Sequence, residues 1–259
     1  MLGDLALVDR PCVAIVGTRQ ATPYGERVTA SLVNGLVDAG VCVVSGMARG
    51  IDSAAHRAAL ARRGATIAVL GTGVDIAYPV GNRSLHRTIA QRGLLVSEFP
   101  CGTRPAPGSF PRRNRVIAAL AQLTIVVEAG EKSGARITSD HASDLGRDVG
   151  AVPGPVDSPQ SAYTNQMIRT GANPILCADD ALALIGLTDK GVRPFPVDPS
   201  LHGDELVVWK ALENGAAPLD WIVEHAALEP KRALAAVTSL ELSGLVETGP
   251  LGELRRRRG

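Results

Sequence analysis

At 259 residues, 45% apolar and 20% charged, the chain can bury a sizeable core and is expected to hold one domain plus a smaller one. No run approaches the roughly 18 consecutive apolar residues of a membrane span, the N-terminal MLGDLALVDR lacks the basic start of a secretion signal, and the four cysteines form no CxxC pair. The net charge of +1 conceals an asymmetry, since residues 1–185 carry 18 basic against 15 acidic side chains and residues 203–254 carry 3 against 9.

In chain order, VAIVG (13–17) predicts a strand, followed by a helix from about Pro23 to Ala39. VCVVSG (41–46) predicts the next strand, followed by a helix from about Ser53 to Arg63. TIAVLG (66–71), LLVSE (94–98), LTIVVE (123–128) and DVGAVPG (148–154) continue the series. Unbroken Val/Ile/Leu runs belong to strands covered on both faces, hence to a parallel sheet. Helical crossovers between them make it an α/β fold, a doubly wound, mostly parallel Rossmann-like sheet over residues 1–186. Cys12 and Cys42 fall in strand-like runs and are expected to be buried, reduced thiols of a cytoplasmic protein.

A proline-rich linker (187–202) leads to residues 203–259. There ELVVWKALENG, ended by Gly215, PLDWIVEHAAL and EPKRALAAVTSLELSG, with Pro230 in its first turn and Gly244 at its end, predict three helices. LVETGPLGELRR predicts a hairpin, which completes a winged helix with a basic tail.

In an open parallel sheet, ligands bind beyond the carboxyl ends of the strands, near the point where strand order reverses. After the first strand comes Gly17-Thr18-Arg19, then Thr22-Pro23 opening a helix whose free amides attract an anion. After the second comes SGMARGID, where Ser45, Gly46 and Gly50 surround Arg49, and after the third comes Gly71-Thr72-Gly73. LTIVVE runs into GEKSG, with Lys132, Ser133 and Gly134 ahead of another helix. No acid lies between Glu98 and Glu128, a segment that holds Arg104 and, in FPRRNR, Arg112, Arg113, Asn114 and Arg115. The basic side chains are 23 Arg and 4 Lys, which suits bidentate phosphate contacts and equally reflects GC-rich coding.

Sharper motifs fail. Gly71-Thr72-Gly73 has Ile76 where the third glycine of GxGxxG belongs, and Lys132-Ser133 follows Glu131 where a phosphate loop needs glycine. Asp52 and His56, at i and i+4, read as an N-cap and a packing residue rather than an acid–base pair. No cofactor, metal or catalytic residue is expected.

VAIVGTR, VSGMARGID, VLGTGVDIAYP, SEFP, FPRRNRVIAAL, EAGEKSGARIT and VPG stand in one order over about residues 10–185. This ordered set resembles the DNA-processing protein A family, also called DprA or Smf, and the C-terminal stretch resembles the winged helix of many members. The resemblance implies a protein that binds and protects incoming single-stranded DNA in natural transformation. It also implies help in loading the RecA recombinase, a homodimer formed through the Rossmann-like domain, and no turnover. By position, Arg49 and Lys132 correspond to DNA-contacting cations. Gly17, Thr18, Arg19, Ser45, Gly46, Gly50, Ser133 and Gly134 correspond to a phosphate cradle. Two departures stand out: few residues precede the first strand where many members have an N-terminal helical domain, and Arg136 stands where many have a leucine-type residue.

The expected mechanism is phosphate neutralisation by Arg49 and Lys132, with Arg112, Arg113 and Arg115, which weakens as salt rises. Aromatic residues are 3% of the chain, so an extended stacking platform is not expected, and Tyr24, Tyr78 and Phe110 read as packing residues. The third C-terminal helix carries two basic and two acidic residues in an acidic domain, which suits protein contacts better than duplex reading. The rival reading is a nucleotide-derivative sensor or a phosphoribohydrolase-like enzyme. Cytokinin-activating phosphoribohydrolases use a PGGxGTxxE loop, where this chain has EAGEKSG with Glu128 ahead of it.

Overall fold

The computed structural model describes residues 1–131, 133–187, 201–212, 217–226, 228–243, 245–249 and 252–256. The chain divides into two compact units, 1–189 and 190–259. The first unit runs β1 (Leu2–Gly3), β2 (Cys12–Val16), α1 (Pro23–Asp38), β3 (Cys42–Ser45), α2 (Ile51–Ala61), β4 (Thr66–Leu70), α3 (Arg83–Arg92) and β5 (Leu94–Ser97). It continues with α4 (Ser109–Leu120), β6 (Leu123–Val126), α5 (Ala135–Asp144), β7 (Asp148–Ala151), α6 (Ala162–Arg169), β8 (Asn173–Pro174) and α7 (Ala178–Leu184).

The strands form one sheet in the order β1-β5-β4-β3-β2-β6-β7-β8. Every neighbouring pair is parallel except β1 with β5. The period-2 alternation of side chains divides each apolar strand between two cores. Val13, Ile15, Val43, Leu123 and Ile125 pack under α1, α2 and α7, while Cys12, Ala14, Val16, Val44 and Ile67 pack under α4 and α6. A further cluster, Ala68, Leu70 and Leu95 with Leu85 and Ile89, seats α3. Cys12 and Cys42 are register partners, both buried, and all four cysteines are free thiols, with Cys101 and Cys177 exposed.

From β2 the chain builds β3, β4 and β5 on one side and then crosses to β6, β7 and β8 on the other. The reversal therefore lies at β2, between the carboxyl ends of β3 and β6, where such sheets leave a crevice.

The second unit holds α8 (Gly203–Ala211), β9 (Ala217–Pro218), α9 (Leu219–His225), α10 (Pro230–Leu242), β10 (Val246–Thr248) and β11 (Glu253–Arg256). It is the winged helix expected from the sequence, with β11 also pairing β9 in a three-stranded antiparallel sheet. Val208, Trp209, Ile222, Val237, Leu240 and Leu254 form its core. Gly215, Gly244 and the linker residues 188–200 lie outside the described residues.

Candidate nucleic-acid interface

A cleft of about 560 Å³ opens at the switch point, lined by Gly17, Thr18 and Arg19 after β2, by Ala48 and Asp52, by Phe110, Arg113 and Asn114 of α4, and by Gly130, Ser133 and Gly134 after β6. The loops are tied together by backbone bonds. Thr18 N–H donates to the Glu128 carbonyl at 2.6 Å, and Ile51 N–H donates to the Thr18 carbonyl at 3.2 Å. Gly50 has φ +73°, and a Cβ on it would overlap the Thr18 carbonyl, so glycine lets the second loop close onto the first.

Several residues of the expected contact set are committed to the fold. Ser45 is fully buried and its hydroxyl donates to the Ile15 carbonyl at 2.6 Å, which removes it from the phosphate cradle. Gly46 is equally engaged, its N–H donating to Asp52 Oδ2 at 3.1 Å and its carbonyl accepting from Arg113 Nη1 at 2.6 Å. Arg113 is 6% exposed, and the same Nη1 also donates to the Val69 carbonyl. Burial pulls its guanidinium down to about 10, against the opposing pull of Asp52. Arg113 thus holds α4 against β3 and β4 and contributes charge to the floor of the cleft, instead of acting as a surface cation. Arg115 is exposed but forms an ion pair with Glu98. Arg112 is exposed and lies over the Phe99 ring at 5.8 Å, outside the cleft lining.

Asp52 is not the N-cap of α2, a position that Gly50 occupies. It lies in the first turn, buried, and its carboxylate accepts from Gly46 and Ala48, so it caps the loop ahead of the helix. Burial pushes its carboxyl up, while the Arg113 guanidinium and those two amides oppose the shift. His56 is a packing residue as expected, fully buried with Nδ1 at 2.7 Å from Thr66 Oγ1. Burial, then Arg113, pushes its imidazole down to about 3.

The anion expected at the start of α1 comes from the chain itself. Glu128, 2% exposed, accepts from Thr22 N–H at 3.0 Å and from the Thr22 hydroxyl at 2.5 Å. A carboxylate at this place meets the positive end of the helix dipole.

The free cations of the cleft are Arg19, on its lining, and Arg49, in the adjoining loop. Both are exposed, with no hydrogen bond or ion pair among the described residues. Around them Thr18 Oγ1 accepts from Gln20 N–H at 3.2 Å, and Ser133 Oγ accepts from Ala135 N–H at 3.3 Å, leaving each hydroxyl proton to donate. Asn114 Nδ2 donates to the Gly134 carbonyl at 3.4 Å, linking α4 to the last loop. Lys132 lies outside the described residues. Phe110, which the sequence reading gave only as a packing residue, and Thr138, which no local sequence signal marks, also line the cleft. No group of His, Cys, Asp and Glu among the described residues could hold a metal ion, and no helix of the described residues is long and apolar enough to cross a membrane.

The family model described as DNA recombination-mediator protein A matches residues 1–186, and the one described as DprA winged helix domain matches residues 193–250. A putative DNA processing protein DprA of Mycobacterium tuberculosis is 47% identical over 239 residues, covering 90% of this chain and 61% of the relative. The X-ray structure of DNA processing protein A from Streptococcus pneumoniae superposes with a TM-score of 0.68 at 41% identity, over 70% of this chain and 64% of that one. A Helicobacter pylori DNA processing protein A, solved for its single-stranded DNA binding mode, superposes with a TM-score of 0.65 at 33% identity, over 71% of this chain and 84% of that one.

Proposed function

The chain belongs to the DNA recombination-mediator protein A family, and from that premise we propose that its Rossmann-like unit grips single-stranded DNA in the switch-point cleft. The observation that carries this reading is Arg19 on the cleft lining and Arg49 in the adjoining loop, both exposed and without a hydrogen bond or ion pair among the described residues. The cleft beside them also presents backbone amides, the Thr18 and Ser133 hydroxyls and the Arg113 guanidinium, with Asp52 as its acid. Two guanidinium groups with amide and hydroxyl donors around them match a phosphodiester backbone and read no base sequence. The single-stranded DNA binding of the Helicobacter pylori relative supports the same partner. The broader role is protection of incoming DNA and loading of the RecA recombinase in natural transformation and recombination, by a cytoplasmic homodimer without turnover. Glu128 is tied up at the start of α1, which argues against a phosphoribohydrolase-like reaction at this site. Lys132, in the GEKSG segment of the sequence, is a further candidate phosphate contact.

Fluorescence anisotropy with a labelled oligo-dT and a matched duplex, across a salt series, tests this. The single strand should bind more tightly, with log affinity falling linearly in log salt. Equal or better duplex binding overturns the assignment.

A further inference from the structure

The cleft does not end the basic surface. Between Asp75 and Glu98 the sequence holds no acid, and within that stretch α3 carries Arg83 and Arg87 one turn apart. Residues at i and i+4 share a helix face. Leu85 and Ile89 take the buried face, and both arginines are exposed, with no ion pair among the described residues. Elsewhere several exposed arginines are neutralised, as in Arg62–Asp38, Arg115–Glu98 and Arg136–Asp140.

The start of α3 is anchored to the cleft loop. Asn82, 4% exposed, donates from Nδ2 to the Met47 carbonyl at 2.9 Å and to the Ser53 hydroxyl at 2.8 Å. Those two acceptors bracket Arg49. Four residues before Asn82, Tyr78 packs as expected from the sequence but keeps 41% of its surface exposed. Its ring lies 5.3 Å from that of Phe110, which lines the cleft. The nearby acid, Asp75, directs both carboxylate oxygens at Gly102 N–H, each at 2.9 Å. Cleft, aromatic pair and α3 therefore follow one another along the carboxyl edge of the sheet, over the three strand spacings from β2 to β5, about 14 Å.

We propose that a nucleic-acid strand leaving the cleft runs across Tyr78 and along the first turns of α3, with one base on the Tyr78 ring and phosphates on Arg83 and Arg87. This rests on the single-strand reading above and extends it by giving the strand a direction. A ring beside a row of unpaired cations combines the two elements that hold single strands without regard to sequence.

The test compares the full chain with labelled oligo-dT of about three and about twenty nucleotides; at roughly 3.4 Å or more per nucleotide the first stays within the cleft and the second reaches well beyond the distance of about 14 Å to α3. The double variant Arg83→Ala/Arg87→Ala should bind the short oligomer as the unaltered chain does. For the long one, the salt slope should fall by about 1.4, two single-strand phosphate contacts. Tyr78→Ala should weaken the long oligomer about tenfold and Tyr78→Phe should not. Unchanged long-oligomer binding in the double variant, or equal weakening at both lengths, overturns the track. Failure of the unaltered chain to bind either length, or indifference to Arg49→Ala, would instead count against the cleft itself.

Discussion

Glu128 and Thr22 are joined twice, the carboxylate accepting from the threonine N–H at 3.0 Å and from its hydroxyl at 2.5 Å. The contact puts the end of the β6 run onto the first turn of α1, and Gly25 makes it possible. A Cβ on Gly25 would overlap the Glu128 carboxylate, which cannot move without breaking both bonds. Gly25→Ala should therefore destabilise the first unit by about 1–3 kcal/mol, although alanine is the better helix former. Urea denaturation measures this, and a stabilised variant would show that the carboxylate is free to shift.

A pH effect follows from His56. Its imidazole titrates near 3 in the fold against an ordinary 6.5, so between those values the unfolded chain binds more protons than the folded one. Stability from this group is complete above about pH 6.5 and declines as pH falls toward 3, by up to about 1.4 kcal/mol per pH unit. The raised Asp52 carboxyl acts with the opposite sign. Comparison with His56→Gln isolates the imidazole, because Asp52 remains in both proteins. The variant should show a flatter stability profile over that window, and an identical profile would mean that the fold does not shift the His56 titration.

Charge on the surface is unequal in consequence. Arg49→Glu should abolish binding of a short oligo-dT, and Arg49→Ala should lower the salt slope by about 0.7, one phosphate contact. Arg115→Ala should leave both nearly unchanged, because that guanidinium is already paired with Glu98. Gel shift and anisotropy read these outcomes, and equal losses at Arg49 and Arg115 would contradict the division between free and committed arginines.

The winged helix is a poor candidate for the grip. Arg232, one of the two cations on α10, forms a bidentate pair with Asp204 of α8, at 2.8 and 2.7 Å. That leaves Lys231 as the other cation of the helix, within residues 203–254, which carry 3 basic against 9 acidic side chains. Removing residues 203–259 should leave most of the single-strand affinity intact, and a large loss would move the grip to that unit.

The amino-acid sequence by itself determined the layered architecture. Continuous apolar runs such as VAIV and LTIV can be satisfied only between two layers of helix, so strands and crossovers follow from local pattern, whereas the strand order that sets the reversal at β2 came with the tertiary structure. The sequence also determined which loops meet at the sheet edge, because parallel connections return every loop of this type to the carboxyl side. Only the tertiary structure decided what each polar residue in those loops does. Arg112, Arg113 and Arg115 read alike in FPRRNR, yet one covers an aromatic ring, one is buried on the carbonyls of Gly46 and Val69, and one meets Glu98. A helical turn of about 100° per residue points neighbours in different directions. A buried guanidinium then persists only where distant backbone supplies acceptors. Those acceptors lie 67 and 44 residues away, and backbone carbonyls carry no signature in residue type. The same reason hid the fate of Ser45 and Glu128, whose partners exist only once the strands and helices are side by side.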